Sequence, residues 1–569
     1  MQMVENEEET LQGLLEDLDY RVLLVCENAL IRFTLQNFFK DSHVTVTAAA
    51  DDDEGLRIMK KEKFDAVISE ICTDADKSLL FRKQIRLLDE KVPILFMTPL
   101  FFWTDVRLLD RIVEDPHSYY IPENADRKFM TAKLRQVIGS CRAENSLNHL
   151  KSKIARNWIL ASQLQQAMLP PWVYFSESYE FSCYYRPFSR VSGDLFEWLP
   201  LDDDRAVFVF GDISGHGTHS ALAMTAVQSF LKQIILQDKE RAKQPSLIAA
   251  EINNFLCSHL RKIVYMGTLI AYIDFRNNFL RYQNAGYMDL VCINAETGKA
   301  EELNPEKKGS VPPGMMPDTV YTSEDDVECR FSDTSVFLCC SDGLMDLARD
   351  KEGHSNMNMK TCLELASVLI TDSQKEERSI AIPFRCCHTL QQFGYRYPQD
   401  DLSVVLIRKP LLKEREYTFS CRVPADKMAI DEICQRASAF VTQHYDDEEL
   451  SVDTELLIEE YLINVILHGL SEYEKLNEYI AVKLCAFDDE LKIIIWDHGK
   501  EWNGFITQTA KADARLDQLN EDMAASGRGL PIISKITSKI SRQRFSGLNE
   551  SVFVIPCRAP RLAGSPTAN

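Results

Sequence analysis

Short continuous apolar runs alternate with amphipathic segments over the first 124 residues. Runs of this kind are typical of strands buried on both faces, and the segments between them are typical of helices that cover a parallel sheet. The pattern predicts a doubly wound α/β domain in residues 1–124. Its predicted strands are Tyr20 to Val25, Val44 to Ala48, Ala66 to Ser69, Ile94 to Met97 and Ser118 to Ile121.

Residues 125–171 carry a different pattern, in which apolar side chains recur every three or four positions. This spacing predicts one long helix that ends at Pro170 and Pro171. Two interpretations are open: the apolar seam packs on its own domain, or it forms a coiled coil that joins two copies and transmits a signal. The position of the helix between two folded blocks favours the coiled coil and a homodimer. The seam consists of Leu147, Leu150, Ile154, Trp158, Ala161, Leu164 or Gln165, and Met168.

Two further folded blocks follow the helix. In residues 172–409, apolar strands repeatedly end in an acidic residue, usually beside a glycine. Residues 414–560 begin with helical patterns, continue with a strand pair at Tyr479 to Ala486 and Glu490 to Trp496, and contain a glycine motif before a last helix. The remaining residues, 561–569, are expected to be a disordered tail.

The composition agrees with several globular domains and limits the partners of the protein. Of the 569 residues, 45% are hydrophobic and 26% are charged, which excludes a mainly disordered chain. The formal net charge of −22 disfavours nucleic acid and anionic membranes as partners. The longest apolar run, Val92 to Trp103, is too short to span a bilayer, and no signal peptide is recognisable, so we expect a cytoplasmic protein. The 16 cysteines lack zinc-binding spacing and are expected to be reduced thiols.

Four acidic clusters in residues 172–409 are candidates for a metal site. Carboxylate oxygens are the ligands that Mg²⁺ and Mn²⁺ prefer, and glycine lets the backbone approach an ion closely. Each Asp-Gly pair alone is an ordinary turn, but the four clusters together predict a two-metal site built from strand ends. The clusters are Val191-Ser192-Gly193-Asp194, Phe210 to Gly217 with Asp212, Ser341-Asp342-Gly343, and Gln399-Asp400-Asp401.

The order of these motifs resembles the bacterial Mg²⁺/Mn²⁺-dependent serine/threonine phosphatases of the sporulation and general-stress type. The resemblance covers nearly the whole block and implies a β-sandwich flanked by helices. This chain departs from the family at two positions, with Tyr287 in place of His and Glu197 in place of Asp. The matching segments are Gln163 to Pro171, Ser192-Gly193-Asp194, Gly211 to Gly217, Asn284-Ala285-Gly286-Tyr287 and Ser341-Asp342-Gly343.

The same resemblance implies the ligands of two metal ions. A water held between the ions would attack the phosphoserine phosphorus in line. Asp401 remains an alternative to Asp400 as a ligand. A zinc site at His216 and His219 is the weaker interpretation, because no third soft ligand accompanies this pair. The implied ligands are Asp212, which bridges both ions, the carbonyl of Ile213, Asp342 and Asp400, with Asp194 in support.

A second set of polar residues lies near the C-terminus. Glu460 and Asn464 are four positions apart and share one helix face, which His468 extends by a turn. Asp497-His498-Gly499 follows a strand, and Gly527-Arg528-Gly529 precedes a helix. No P-loop motif is present. The combination resembles the GHKL ATPase fold, and most closely the anti-sigma-factor serine kinases, over essentially all of residues 414–560.

This second resemblance implies an α/β-sandwich that binds ATP and Mg²⁺. Asp497 would accept a hydrogen bond from the adenine amino group, and Gly499 would leave room for the ring. Asn464 would reach the Mg²⁺ that bridges the phosphates. Glu460 would take the proton from a substrate serine hydroxyl as it attacks the γ-phosphoryl group. The phosphate charge would face backbone N–H groups and a helix N-terminus at Gly527, Arg528 and Gly529.

The first block resembles a response-regulator receiver whose phosphorylation chemistry is incomplete. A glutamate without the neutralising lysine is expected not to be phosphorylated. Two interpretations are open: the block is an unphosphorylated pseudo-receiver, or Glu70 imitates a permanently phosphorylated aspartate. The family positions for the acidic pair, the phosphoacceptor, the threonine and the lysine fall on Cys26 and Glu27, Glu70, Thr98 and Ile121.

These resemblances together imply two opposed enzymes on one chain. The chain would dephosphorylate and phosphorylate a serine of a STAS-domain anti-sigma-factor antagonist, as in bacterial partner switching. In an alternative, the C-terminal block only binds the antagonist, an anti-sigma factor or a sigma factor, without turnover. A third interpretation is a phosphatase of an unrelated phosphoprotein whose C-terminal block senses ATP or serves as a nucleotide-free scaffold.

Overall fold

The computed structural model forms two compact units, Met1–Asn157 and Trp158–Asn569. Among the residues it describes, no helix combines the length and apolar character needed to cross a lipid bilayer. Every cysteine within these ranges is a free thiol. The described residues are 19–40, 43–71, 75–98, 110–111, 114–215, 217–260, 264–352, 357–376, 378–410, 417–471, 475, 478–501 and 529–557.

The first unit contains a parallel sheet with helices between its strands. The strands are β1 (Tyr20–Val25), β2 (Val44–Ala49), β3 (Ala66–Glu70), β4 (Ile94–Thr98) and β5 (Ser118–Pro122). Their order is β2-β1-β3-β4-β5, with parallel pairing throughout. The predicted doubly wound fold is confirmed, and each strand bound lies within one residue of its prediction. The helices are α1 (Ala29–Phe39), α2 (Asp52–Met59), α3 (Ala75–Leu88) and the start of α4 (Arg127–Met168).

Both faces of this sheet are buried, which explains why its strands are continuous apolar runs. Val22 and Leu24 belong to one core cluster, whereas Leu23 and Val25 point the other way into a second cluster. Successive side chains on a strand face opposite sides, so a strand covered on both sides cannot alternate between polar and apolar residues.

Helix α4 has two different surfaces along its length, and the predicted single helix is confirmed. Its first turns pack into the core of the first unit, through Met130, Leu134, Val137 and Ile138. The predicted seam farther along is largely exposed, because Leu147, Leu150, Ile154 and Leu164 are 50%, 53%, 55% and 71% exposed.

The second unit begins with two antiparallel sheets stacked face to face. The first sheet has the order β14-β11-β10-β9-β8 and the second has the order β13-β12-β15-β16-β7-β6. The strands are β6 (Val173–Phe175), β7 (Glu180–Arg186), β8 (Asp194–Pro200), β9 (Arg205–Ile213), β10 (Met266–Asp274), β11 (Phe279–Ala285), β12 (Val291–Asn294), β13 (Ala300–Glu301), β14 (Val327–Arg330), β15 (Ser335–Cys340) and β16 (Leu402–Arg408). The helices are α5 (Thr218–Gln237), α6 (Pro245–His259), α7 (Met359–Glu376) and α8 (Ile382–Gln392).

The side chains that alternate along these strands build a four-layered domain. Phe208 and Phe210 of β9 share one buried cluster with Phe337 of β15, between the two sheets. The outer face of the first sheet packs on α5 and α6, and the outer face of the second packs on α7 and α8. The predicted β-sandwich flanked by helices is thereby confirmed.

A separate sheet with helices on one face ends the chain. Its order is β17-β18-β19-β21-β20, with antiparallel pairing. Helices α9 and α10 share the buried cluster on one face of this sheet, as expected for an α/β-sandwich. The elements are β17 (Thr418–Pro424), α9 (Ile430–His444), α10 (Glu448–Asn464) with a π-helical turn at Val465–Gly469, β18 (Tyr479–Ala486), β19 (Glu490–Asp497), α11 (Gly529–Ile536), β20 (Lys539–Phe545) and β21 (Leu548–Pro556).

Candidate active site

The first sheet of the sandwich brings two of the predicted acidic residues together. Asp194 and Asp212 are directly opposite each other in the antiparallel pair β8–β9, so their side chains share one face. Phe210 is two residues before Asp212 and lies in the core between the sheets, which means that Asp212 points toward the second sheet. Asp194 is 1% exposed and accepts a hydrogen bond of 2.6 Å from Ser403 Oγ of β16.

The second sheet delivers the other predicted acids to the same edge. Asp342 follows the end of β15, and Asp400 and Asp401 precede the start of its antiparallel neighbour β16. A Cβ atom added at Gly343 would lie only 1.9 Å from the carbonyl oxygen of Asp401. Glycine is therefore required here, because the Asp342 turn and the Asp400–Asp401 segment touch through their backbones.

The carboxyl groups crowd one another strongly. Burial, and next the negative charges of Asp342, Asp400 and Asp401, raise the pKa of Asp212 to about 8. Burial is also the main cause that holds the pKa of Asp194 well above its ordinary value, although hydrogen bonding to Ser403 lowers it. Mutual repulsion of this kind disfavours the ionised forms until a positive charge enters the site.

The donor atoms fit hard divalent cations better than zinc. A Cβ atom at Gly193 would lie 3.1 Å from Asp212 Oδ1 and 3.2 Å from the carbonyl oxygen of Ile213, so both oxygens face the same small space. Within the described ranges, no three His, Cys, Asp or Glu side chains are arranged to enclose a single ion. Carboxylate and carbonyl oxygens are the donors that Mg²⁺ and Mn²⁺ prefer, and these ions complete their shells with water.

Tyr287 provides an unsatisfied polar atom beside this centre. Its ring packs against Phe210 with centroids 5.6 Å apart and lies over Gly267, where an added Cβ would be 3.1 Å from Tyr287 Cδ2. Gly267 pairs with Asp212 in the sheet. The buried hydroxyl of Tyr287 has no hydrogen-bond partner in the described part of the chain. A water or phosphoryl oxygen at the carboxylate centre would satisfy it.

Asp401 has a different environment from Asp400. Its two carboxylate oxygens accept backbone hydrogen bonds of 2.7 Å each, from Phe188 N and Gly193 N. Asp400 Oδ1 accepts a bond of 2.8 Å from the N–H of Asp401. Asp401 thus holds the backbone segment that leads into Asp194.

The end of helix α4 is fastened to the same segment by Gln165, whose role the helical periodicity did not reveal. Ser192 N donates to Gln165 Oε1 at 3.0 Å, and Gln165 Nε2 donates to Ser192 O at 2.8 Å. Gln165 is 5% exposed. The residue acts as a two-point connection between the helix and the backbone just before Asp194.

Glu197 and the histidines named from the sequence have surroundings different from those of Asp194 and Asp212. Glu197 faces the helix layer, where Gln228 Nε2 donates to it at 2.9 Å and Lys232 Nζ lies 3.3 Å away. His219 is exposed on α5, and His216 lies outside the described residues. The structure thus describes only one of the two histidines of the zinc interpretation.

The C-terminal sheet places Asp497 at the centre of a hydrogen-bonded turn. Asp497 is fully buried, and its Oδ1 accepts bonds from Gly499 N at 2.8 Å and Asn549 Nδ2 at 2.7 Å. Tyr461 donates to Oδ2 at 3.2 Å. A Cβ at Gly499 would lie 2.8 Å from Asp497 Oδ1 and 3.3 Å from the Cα atom of Gly469. The turn is thus packed against the end of the helical segment that carries Asn464.

The predicted phosphate-side residues are described only in part. Asn464 Nδ2 donates to the carbonyl oxygen of Glu460 at 2.7 Å, one turn earlier on α10. Burial, and next the charge of Glu459, raises the pKa of Glu460. Gly529 begins helix α11, whereas Gly527 and Arg528 lie outside the described residues.

Two family models match the chain in the regions just described. Residues 202–410 match the model "Stage II sporulation protein E (SpoIIE)", and residues 423–554 match the model "Histidine kinase-like ATPase domain". The last strand of the sandwich, β16, lies inside the first match, and β17 begins between the two matches. The carboxylate centre lies mostly in the first match, and Asp497 lies in the second.

Similar curated proteins include the phosphoserine phosphatase RsbP of Bacillus subtilis, 23% identical over 34% of this chain and 47% of that protein. Protein IcfG of Synechocystis is 24% identical over 32% of each chain. This chain thus spans about half and about a third of these relatives. A solved structure of the RsbU and RsbW domains of Rv1364c from Mycobacterium tuberculosis aligns with 69% of this chain and 98% of its own, at 16% identity and a TM-score of 0.35.

Proposed function

We propose that this chain, which combines a receiver-like fold with a SpoIIE-type phosphatase domain and a histidine kinase-like ATPase domain, is a bifunctional protein-serine phosphatase and kinase. The observation that carries the phosphatase is the crowding of Asp212 by three further carboxyl groups at one edge of the sandwich. Such a group of acids needs cations, and two Mg²⁺ or Mn²⁺ ions are the partners that its oxygen donors suit.

In the phosphatase reaction, Asp212, the carbonyl of Ile213, Asp342 and Asp400 would hold the two ions. Bound there, the ions would supply an activated water and neutralise charge on the phosphoryl oxygens. Asp194 supports the centre beside Asp212, and Ser403 fixes its orientation. Asp401 keeps the approach to Asp194 in place through its two backbone hydrogen bonds.

In the kinase reaction, Asp497 recognises the adenine amino group and Asn464 reaches the Mg²⁺ that accompanies ATP. Glu460 accepts the proton of the substrate serine, a role to which its raised pKa is suited. The phosphates would face Gly527, Arg528 and Gly529, the last of which begins α11. The buried Asp497–Gly499 turn supports this assignment, because it is fixed before any ligand binds.

We further propose that the exposed seam of α4 joins two copies and that the receiver-like unit works without phosphorylation. Exposed apolar side chains every three or four residues are a surface that a second copy of the same helix would cover. In the receiver-like unit, Cys26 Sγ donates to Glu70 Oε2 at 2.8 Å, and Lys77 pairs with Glu27 at 3.0 Å. The carboxylates of Glu70 and Glu27 therefore already have partners within this unit.

The substrate of both reactions is proposed to be the serine of a STAS-domain anti-sigma-factor antagonist in a bacterial partner-switching pathway. The match of one chain to both a phosphatase and a kinase-like domain supports a shared substrate. A non-catalytic C-terminal block that binds the antagonist, an anti-sigma factor or a sigma factor is the competing proposal.

Purified full chain, incubated with the STAS partner, tests both reactions. We expect phosphate transfer to the partner with ATP and Mg²⁺, and phosphate release from the phosphorylated partner with Mn²⁺. Absence of both would reject the proposal. Glu460→Ala distinguishes the competing proposal: loss of transfer with retained ATP binding supports the kinase, whereas unchanged regulation in cells supports a binding block.

A further inference from the structure

The C-terminal sheet is buried on both faces, and the second face is covered by the phosphatase domain. Ile480, Val482 and Ile495 point into the cluster shared with helices α9 and α10. On the opposite face, Ala481, Ile494, Trp496, Leu548 and Val552 belong to the large cluster that also holds Trp172, Phe384 and the sandwich core. The two domains therefore share one continuous apolar core.

Buried ion pairs cross this shared core in both directions. Glu550 of β21 is 1% exposed, and its Oε1 accepts bonds from Arg378 Nη1 at 3.0 Å and Arg385 Nη2 at 2.9 Å, both from the phosphatase domain. In the other direction, Lys483 Nζ of β18 lies 3.6 Å from Glu180 Oε1 of β7. Separating the domains would break these buried pairs, which is costly when one charge loses a partner in the interior, so we treat the contact as part of the fold.

The Asp497–Gly499 turn lies at the edge of this contact between the two domains. His498, between Asp497 and Gly499, packs its ring against Trp172 at 5.0 Å and Phe384 at 5.4 Å between centroids. Its Nδ1 lies 2.8 Å from Glu478 Oε1. Trp172 Nε1 also donates to the carbonyl oxygen of Tyr479, at 2.6 Å. His498 is thus held by the ATPase domain on one side and by two phosphatase aromatics on the other.

We infer that Trp172 and Phe384 of the phosphatase domain are positioning residues for adenine nucleotide binding, because they fix the Asp497–Gly499 turn through His498. This inference rests on the proposed recognition of adenine by Asp497. The hydrogen bonds of Asp497 set the inner side of the turn, and the two aromatic rings set its outer side. A turn that is fixed before binding loses less conformational freedom when the ligand arrives, which increases affinity.

The test measures ATP binding to the full chain by isothermal titration calorimetry with Mg²⁺. We expect Trp172→Ala to weaken ATP binding about tenfold, as couplings between neighbouring sites typically do. Trp172→Phe keeps an aromatic contact and should recover most of the affinity. His388→Ala is the matched control, since His388 contacts Phe545 in the same interface (5.6 Å between centroids) without touching His498.

His498→Ala provides a second test that does not depend on the folding of the Trp172 variant. A quarter (26%) of the His498 side chain is exposed, so removing it should disturb the buried core less than removing Trp172. We expect this change to weaken ATP binding to a similar extent. When His498 is already alanine, Trp172→Ala should weaken ATP binding no further. If Trp172 had a merely structural role, its effect on ATP affinity would instead add to that of His498→Ala. Equal affinities of wild type and both single variants would overturn the inference alone. A wild-type chain that binds no ATP would overturn the proposed nucleotide site as well.

Discussion

Acidic residues lie at strand ends in both the receiver-like unit and the sandwich, but their surroundings differ. Glu70 accepts a hydrogen bond from Cys26, and Glu27 pairs with Lys77. In the sandwich, the neighbours that most affect the pKa of Asp212 after burial are three other carboxyl groups. A carboxylate with a partner of its own needs no cation, whereas a crowded group of carboxylates does. The two regions therefore differ in the number of acids that the topology gathers, rather than in the place of those acids on a strand.

The largest expected effect is that of Asp212→Asn, which removes the carboxylate that we propose holds both ions. Hydrolysis of p-nitrophenyl phosphate with Mn²⁺ should fall about a thousandfold, because several kcal/mol of metal-dependent stabilisation would be lost. In metal-free protein near neutral pH the same change should raise Tm, since it removes a carboxyl group whose raised pKa costs the folded state stability. Steady-state kinetics and thermal unfolding with EDTA measure the two effects.

Glu197→Gln is the matched control, because Glu197 is a buried acid of the same sheet that faces the helix layer. It should keep the hydrolysis rate within a few fold. Equal rate losses in both variants would mean that the carboxylate centre has no special role.

Gly343→Ala is expected to have the next largest effect. The new Cβ would meet the carbonyl oxygen of Asp401 at 1.9 Å, and backbone cannot move aside without separating Asp342 from Asp400. We expect a loss of about 2–4 kcal/mol in the free energy of unfolding, together with most of the phosphatase activity. Urea denaturation and phosphatase assays measure both.

Gly55→Ala in the receiver-like unit is the comparison for Gly343→Ala. Its new Cβ would lie 2.9 Å from Cγ2 of Val25, which is the end of a side chain rather than backbone. This variant should lose less than Gly343→Ala and keep full phosphatase activity. A greater loss in Gly55→Ala would contradict the interpretation of the Asp342 turn.

A smaller effect is expected from pH in the metal-free protein. The pKa of Asp212 is raised from its ordinary value to about 8, so the unfolded chain releases this proton at lower pH than the folded chain. Stability should therefore decrease as pH rises from about 4 to about 8. Mn²⁺ should raise Tm more at pH 8 than at pH 6, because it binds the ionised carboxylates. An equal Tm increase at both pH values would contradict the crowding of Asp212.

The sequence predicted the fold well where a single element carries its own signal. The receiver strands lie within one residue of their predicted bounds because apolar runs mark buried strands directly. The glycine motifs marked Asp212, Asp342 and Asp497 because glycine is required where backbones touch. The choice between Asp400 and Asp401 was open because the two are adjacent and only the hydrogen bonds of Asp401 separate them.

Contacts between distant parts of the chain had no comparable signal. Gln165 lay on a helical seam and could not be assigned to Ser192, since the bond depends on where the helix ends against the sandwich. Trp172 and His498 belong to different domains, and their contact follows from how the two sheets pack. Helical and strand periodicities describe local structure, so tertiary partners of this kind are found only in the folded chain.

The smallest expected effect is that of Glu70→Gln in the receiver-like unit. The glutamine oxygen can still accept the hydrogen bond from Cys26, so the free energy of unfolding should change by less than about 0.5 kcal/mol. Acetyl phosphate with Mg²⁺ should add no phosphoryl mass to the wild-type chain, because Ile121 stands where a receiver has lysine. The double change Glu70→Asp with Ile121→Lys restores an acceptor and a cation, and it is the variant in which an acyl phosphate could form. Intact mass and peptide mapping would reveal any phosphorylation of the wild type at Glu70. Such a result would show that a carboxylate with its own partner can still do metal-dependent chemistry, and it would contradict the difference drawn between Glu70 and Asp212.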